Sequence, residues 1–297
     1  MSEFYTTHEL AALLRVKERK VYDLVAKETL PFRRVTGKLL FPRDEIAQWL
    51  RVNGLASDAR VAPSPPRQSE RQRPLVAAGG HDPLLEWALR ESRSGIAGFF
   101  DGALDGLQRA EAGDCIAAGL HIPEGKDWNV AAVEARLAGE PWVLIEWARR
   151  ARGLIMRPDL VKRPDCLKAA RGLRFQTRQT EAGSELVLDQ LLAAEKMKRP
   201  DLRLVEAVER SETDMAMAIA NGRADVGLGI AAAARQFKLD FAPLIEERFD
   251  LLVWRKAYFD PPFQKLVALC LSEAFHDKAK ALGGYDVSGF GTVRFNG

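Results

Sequence analysis

Residues 56–74, Ala-Ser-Asp-Ala-Arg-Val-Ala-Pro-Ser-Pro-Pro-Arg-Gln-Ser-Glu-Arg-Gln-Arg-Pro, decide how the rest of the chain can fold. They carry no apolar periodicity and are rich in proline, serine and arginine, so they bury too little to offset the entropy of ordering them. Such a tract reads as a semi-extended, mobile linker. It divides the 297 residues into an N-terminal unit, 1–55, and a longer C-terminal unit, 75–297. Charge divides at the same place: residues 1–74 hold 14 Lys/Arg against 9 Asp/Glu, and the remainder holds 30 against 32. The positive excess belongs to the N-terminal unit, where a nucleic-acid contact would need it.

Within that unit, Thr6-Thr7-His8-Glu9-Leu10 opens a helix. Either threonine can cap it, Glu9 suits its positive end, and Leu10, Leu13 and Leu14 form its apolar side. After a break at Arg15-Val16, a second helix over 17–27 turns Val21, Leu24 and Val25 inward and leaves Lys17, Arg19, Lys20 and Tyr22 outside. Two short helices about a tight turn, the second basic at its start, make a helix-turn-helix whose second helix can enter a major groove. Residues 32–41 read as two strands about a Thr-Gly-Lys turn, a basic wing carrying Arg33 and Lys38, and 42–50 as a closing helix begun by Pro42-Arg43. Tyr5-Thr6-Thr7-x-Glu9-Leu10-Ala11, Val21-Tyr22 and Phe41-Pro42-Arg43-x-Glu45-Ile46 resemble the winged-helix DNA-binding domains of the excisionase and MerR type. That resemblance implies double-stranded DNA as partner, with Lys17, Arg19, Lys20, Tyr22, Arg33, Lys38 and Arg43 as contacts. Lys17 and Lys20 replace a cap residue and a threonine usual in the family, and both add charge that favours phosphate.

The C-terminal unit alternates strands and helices, the α/β signature. Its most informative stretch is 173–193. Leu173, Phe175 and Thr177 alternate as in a half-buried strand, Ala182-Gly183-Ser184 form a turn, and Leu186, Leu188, Leu191 and Leu192 follow at helical spacing. Gly183 lets the backbone approach a guest, Ser184 can cap the helix, and the free N–H groups of its first turn point into the loop. In an open α/β sheet, ligands sit beyond the carboxyl ends of strands. An internal echo suggests two half-domains built alike. Residues 107–119 and 217–229 share a plan of helix end, Gly, acidic residue and a small-residue strand ending in Gly. The expectation is two lobes, I at about 75–157 with 253–297 and II at about 158–252, with 151–158 and 247–254 as hinge.

From about Pro74 to Phe275 seven separated motifs resemble the cytoplasmic type II periplasmic-binding-protein-like domain, related to molybdate- and tungstate-binding proteins. They are Gly80-His81-Asp82-Pro83, Ser94-Gly95-x-x-Gly98, Ala118-Gly119-x-His121, Ala148-Arg149-x-x-x-Gly153-Leu154, Arg178-Gln179-x-x-x-Gly183-Ser184 with Leu188-Asp189-x-Leu191-Leu192, Gly222-x-Ala224-Asp225-x-Gly227-x-Gly229-Ile230, and Leu239-Asp240-Phe241 running on to Asp250-Leu251. The resemblance implies a small polar ligand or oxyanion held between lobes. Asp82, Ser94 and His121 would hold it from the first lobe and Thr180, Glu181, Gly183, Ser184, Asp225 and Gly227 from the second, with Arg149 and Arg178 supplying charge. Blander roles are open at three of these: Asp82 can cap the helix after Pro83, His121 can be a satisfied core histidine, and Asp225 can merely hold its turn. Glu181 and Glu185 stand where the family loop has Gly and Arg. Each carboxylate repels a dianion by roughly 1 kcal/mol at a few Å even under water-like screening. A guest with an amine or hydroxyls, or a larger molybdenum-cofactor-related metabolite, fits Glu181 better than bare molybdate or tungstate.

No run approaches the roughly 20 apolar residues of a membrane span, and the polar start is unlike a signal peptide, so a cytoplasmic location is expected. Cys115, Cys166 and Cys270 are far apart and without Cys-x-x-Cys or His clusters, which indicates neither a disulfide framework nor a metal site. No nucleophile paired with a base and no phosphate loop is apparent, and no cofactor is expected. The expected function is a one-component transcriptional regulator, a homodimer or higher oligomer, whose ligand changes the spacing of paired winged helices. The rivals are an enzyme of cofactor biosynthesis and an architectural, excisionase-like DNA binder whose second domain oligomerises.

Overall fold

A reciprocal cap starts the first helix. Strand β1 (Phe4–Thr6) runs into α1 (Thr7–Leu14), where Thr6 N–H donates to the Glu9 carboxylate at 2.7 Å and Glu9 N–H to Thr6 Oγ1 at 3.3 Å. In this computed structural model residues 4–14, 16–26, 30–35, 38–46, 49 and 73–297 are described. They fall into two units, within 1–65 and 66–297. The first continues with α2 (Glu18–Ala26), β2 (Arg33–Val35), β3 (Lys38–Pro42) and a third helix, α3, beginning at 43–46. β3 lies between β1 and β2, antiparallel to both. Leu10, Ala11, Val21, Val25, Leu30, Phe41 and Ile46 make its core. Leu13, expected on the apolar side of α1, is 46% exposed. At about 100° per residue the inward arc passes through positions 10, 11 and 14 and leaves 13 beyond its edge.

Most of the expected linker and the 36–37 turn lie outside the described residues. Arg73 and Pro74 do not: Arg73 is buried, its guanidinium over the rings of Trp254 and Trp142 at 4.0 and 4.7 Å, and it donates to Ala110 O at 2.8 Å. The second unit therefore begins before residue 75.

That unit runs β4 (Val76–Gly79), α4 (Pro83–Glu91), β5 (Ala97–Phe99), α5 (Ala103–Ala112), β6 (Ala117–Leu120), β7 (Pro123–Glu124), β8 (Asp127–Trp128), α6 (Val130–Leu137) and β9 (Trp142–Met156). It continues through β10 (Arg174–Gln176), α7 (Gly183–Ala194), β11 (Arg203–Leu204), α8 (Glu212–Ala220), β12 (Val226–Ile230), α9 (Ala231–Gln236) and β13 (Asp240–Trp254). Helices α10 (Arg255–Tyr258), α11 (Pro261–Cys270) and α12 (Glu273–Leu282) and strands β14 (Tyr285–Asp286) and β15 (Val293–Asn296) complete it. One sheet has the order β11-β10-β12-β9-β13-β6-β4-β5, with β14 and β15 added on β9. β4, β5 and β6 are parallel to one another, as are β10, β11 and β12, so each lobe has its own parallel set. The internal echo is the α5–β6 and α8–β12 units, each turned by a glycine with positive φ, Gly113 and Gly222.

β9 and β13 join the lobes. They are antiparallel partners from Asp240↔Met156 to Trp254↔Trp142, and at about 3.3 Å per residue their 15 residues span some 50 Å. The segments expected as a hinge lie largely within these strands, and each strand continues unbroken into the other lobe. Lobe I buries its apolar residues around Trp142, Trp147, Phe249 and Phe275, and lobe II around Phe175 and Leu188 on one face of the sheet and Met215 and Ile219 on the other.

Candidate functional site

Strand direction brings the chemistry to one place. β4, β5 and β6 point their carboxyl ends at those of β10 and β12, and helices α4, α5, α7 and α8 start from loops there. Between the two sets, Arg150 and Arg152 on β9 share a face at i, i+2, and Glu247 on β13 is the register partner of Arg150.

These groups form a chain of alternating charge. Asp82 caps α4 through Leu85 N–H at 2.7 Å and accepts from Trp147 Nε1 at 3.1 Å, Tyr285 OH at 2.6 Å and Arg150 at 2.9 Å. Arg150 also pairs with Glu247, and Glu247 accepts from Arg152 Nε at 2.6 Å and Nη2 at 2.9 Å. Arg152 reaches Glu212 at 2.8 Å, and Glu212 accepts from Arg178 at 2.9 Å. Asp82, Arg150, Glu247, Arg152, Glu212 and Arg178 are all buried, none more than 3% exposed. Three cations face three anions from α4 in lobe I to α8 and the β10 loop in lobe II.

Burial opposes every charge in the chain, and the outcome depends on the partners. For Glu212 burial pushes the carboxyl up, but Arg152 and Arg178 outweigh it and hold its pKa at about 2. Glu247 is likewise held well below the ordinary range against burial, by Arg150 and Arg152. Beside it, His121 ring Nδ1 lies 3.2 Å from Glu247, and burial keeps the ring below its usual pKa despite that carboxylate. Arg178 differs from the other two guanidiniums. Burial, with the nearby Arg152 and Arg150, draws it below its ordinary value against Glu212 and Glu185, whereas Arg150 and Arg152 are each ion-paired with two carboxylates and are raised. Several buried atoms of this cluster have no hydrogen-bond partner within the protein: Arg150 Nε, Arg152 Nη1, Arg178 Nε, Glu212 Oε2 and Ser184 Oγ.

The lobes are shut on each other around the cluster. Leu104 N–H donates to Glu181 O at 3.1 Å, and Arg210 donates to Asp101 at 2.6 Å. At Gly102, with φ +116°, a Cβ would lie 2.5 Å from Glu181 O, and on Gly183 it would lie 2.7 Å from His121 O. Closure at these two points requires glycine.

Of the expected ligand residues, the structure gathers Asp82, His121, Arg178, Gly183 and Ser184 here. Thr180 and Glu181 are exposed, with the Glu181 carbonyl as the lobe contact. Ser184 does not cap α7. It lies inside the first turn, Ala182 is the N-cap without a side-chain bond, and Glu185 accepts Arg178 N–H at 2.9 Å. Four others lie apart from this cluster. Ser94 bonds Leu89 O and Ile96 N–H at the opposite end of α4 from Asp82. Arg149 points away from its neighbour Arg150, 46% exposed, and pairs with Glu246 and Glu146. Asp225, at the amino end of β12, grips Arg174 at 2.7 Å, and Gly227 is small because a Cβ would meet Met215 Sδ at 2.9 Å. Arg150, Arg152, Glu212, Glu247 and Tyr285 were missed. The available signal was charge in the middle of two long apolar strands, which demands buried partners.

On the first unit Lys17, Arg19, Lys20 and Tyr22 are exposed. Arg33 and Arg43 are engaged in the fold: Arg33 donates to Glu45 at 2.5 Å, and Arg43 lies over the Tyr5 ring at 4.1 Å. The Lys38 side chain is outside the described residues. Among the described residues no helix is long and apolar enough to cross a membrane, and no group of three His, Cys, Asp or Glu could hold a metal ion.

Residues 86–271, more than half of the chain, match the PBP superfamily domain. The chain belongs to the PBP superfamily. Residues 4–53 match a helix-turn-helix domain, so a DNA-binding type of unit precedes the PBP domain. The chain is 27% identical over 302 residues to the uncharacterized protein YvgK of Bacillus subtilis strain 168, covering 97% of each. An 84-residue stretch is 33% identical to an uncharacterized protein in the 5′ region of a ferredoxin 2Fe-2S gene of Clostridium pasteurianum, covering 28% of this chain and 74% of that one. Among solved structures, a substrate-binding protein from Clostridium perfringens with bound phosphate aligns with TM-score 0.50 at 10% identity, covering 71% of this chain and 98% of that one. That likeness concerns the fold of the PBP domain.

Proposed function

We propose that the protein is a ligand-responsive transcriptional regulator: the helix-turn-helix unit binds double-stranded DNA, and the PBP domain senses a small polar solute between its lobes. The carrying observation is the set of unpartnered buried atoms along the interlobe charge chain. Guanidinium N–H groups on Arg150, Arg152 and Arg178 seek acceptors, Glu212 Oε2 seeks a donor, and Ser184 Oγ can serve as either. A guest with both donors and acceptors satisfies them at once. The chain is already neutral, three against three, so a guest without net charge keeps that balance, whereas a molybdate or tungstate dianion adds two uncompensated charges. This favours a zwitterion or a polyhydroxylated solute. Paired DNA-binding units on a homodimer would read closure as a change of half-site spacing.

Thermal unfolding of the full chain against amino acids, polyols, molybdate and tungstate tests this reading. A saturable rise with a neutral solute, lost in Ser184→Ala and accompanied by an altered DNA footprint, is expected. A rise with molybdate instead restores the oxyanion. A second reading rests on the mutual pairing of the six charges, which suits a lobe interface locked for assembly only; no shift with any solute and an invariant footprint would favour it.

A further inference from the structure

Outside the charge chain, a cavity of about 630 Å³ is walled by both lobes: Glu86, Trp87 and Arg90 of α4 and Lys278 of α12 from lobe I, Thr213 of α8 and Arg235 of α9 from lobe II. Its charges are unbalanced. Arg90, Arg235 and Lys278 face it against Glu86 alone, and that carboxylate already has His81 Nε2 at 3.3 Å and Arg90 at 3.4 Å. Neither Arg235 nor Lys278 has a carboxylate partner among the described residues. Lys278 Nζ instead stands 5.6 Å from the Trp87 ring centroid. Arg235 is braced against the turn after α12, where a Cβ on Gly283 would come within 2.9 Å of its Nη1. A half-buried indole sharing one cavity with two cations on opposite lobes, neither paired with a carboxylate, suits a flat ring bearing an anion.

We propose that this cavity is a second ligand site, distinct from the charge chain, for a small aromatic phosphate or carboxylate. The ring lies against Trp87, and Lys278 and Arg235 hold the anion from opposite lobes. Because the walls come from both lobes, such a ligand binds the closed form in preference to the open one and shifts the population toward it. Thr213 adjoins Glu212 and Pro83 adjoins Asp82, so the site abuts the charge chain from both lobes without sharing its groups.

Phenyl phosphate, inorganic phosphate and benzyl alcohol, titrated separately into the full-length chain by calorimetry, test this. Phenyl phosphate should bind saturably with a 1:1 stoichiometry, inorganic phosphate at least ten-fold more weakly, and benzyl alcohol not measurably. Arg235→Gln with Lys278→Gln should weaken phenyl phosphate at least ten-fold while circular dichroism and the urea midpoint stay as in the wild type. Ser184→Ala should leave its binding unchanged, which separates this site from the one proposed between the lobes. No binding of phenyl phosphate to the wild type, equal binding of the double variant, or loss of binding in Ser184→Ala would each overturn the assignment. Should the double variant not fold, Trp87→Leu, which removes the ring face and leaves both cations, must abolish the preference for phenyl over inorganic phosphate.

Discussion

Replacing Glu247 by glutamine keeps its shape and removes one charge from the centre of the interlobe chain. Arg150 and Arg152 would each lose a buried carboxylate but keep one, Asp82 and Glu212 respectively. Breaking a buried ion pair from one side costs about 3–5 kcal/mol, and the surviving partners place this case near the lower end, at about 3 kcal/mol. For a unit of this size each kcal/mol lowers Tm by about 2–4 °C, so a fall of about 6–12 °C is expected. Urea unfolding at pH 7, followed by tryptophan fluorescence, measures the free-energy loss, because Trp147 donates to the neighbouring Asp82, and a thermal scan measures the fall in Tm. The pH dependence adds a second constraint. Glu247 is held well below its ordinary value of 4.5, so its contribution is complete above 4.5 and is lost as pH falls through the folded value. Wild type and Glu247→Gln should therefore converge in acid. A loss under about 1 kcal/mol at pH 7, or a gap that persists unchanged in acid, would show that the chain does not hold the lobes in the way described.

Further outcomes can be checked directly. Lys17→Ala, Arg19→Ala and Lys20→Ala combined should make the dependence of log K on log salt shallower by about 0.9 for each DNA phosphate no longer neutralised, measured by anisotropy with duplex DNA; an equal slope would remove α2 from the interface. Gly183→Val drives a side chain toward His121 O, so small-angle scattering should show a larger radius of gyration for the PBP domain, and an unchanged radius would contradict closure at that point. Arg73→Ala loses two ring faces and a buried hydrogen bond, a destabilisation of about 1–3 kcal/mol in urea, and a change within experimental error would mean that the second unit begins after it.

What the chain's local chemistry determined is clear at its caps and periods. Thr6 with Glu9, and Asp82 before Pro83, announce helix starts because a cap needs only groups three or four residues apart. The α5–β6 and α8–β12 units repeat in sequence because each must turn a helix into a parallel strand in the same way. The site itself was decided elsewhere. Arg149, Arg150 and Arg152 cannot be told apart by type, and the face each takes depends on the β9–β13 register, which is set by pairings some 95 residues away and by irregularities at 243–245 and 249–250. A shift of one residue along a strand exchanges faces, so the sequence singled out Arg149 while its neighbours carry the buried charge. Ser94 shows the same limit on a helix. Its motif places it near Asp82 in sequence, but α4 stands between them, and its nine residues put the two ends about 13 Å apart. Burial makes a charge depend on its partners, and those partners are brought together only by the β9–β13 register and by the packing of α4 and α8 beside it.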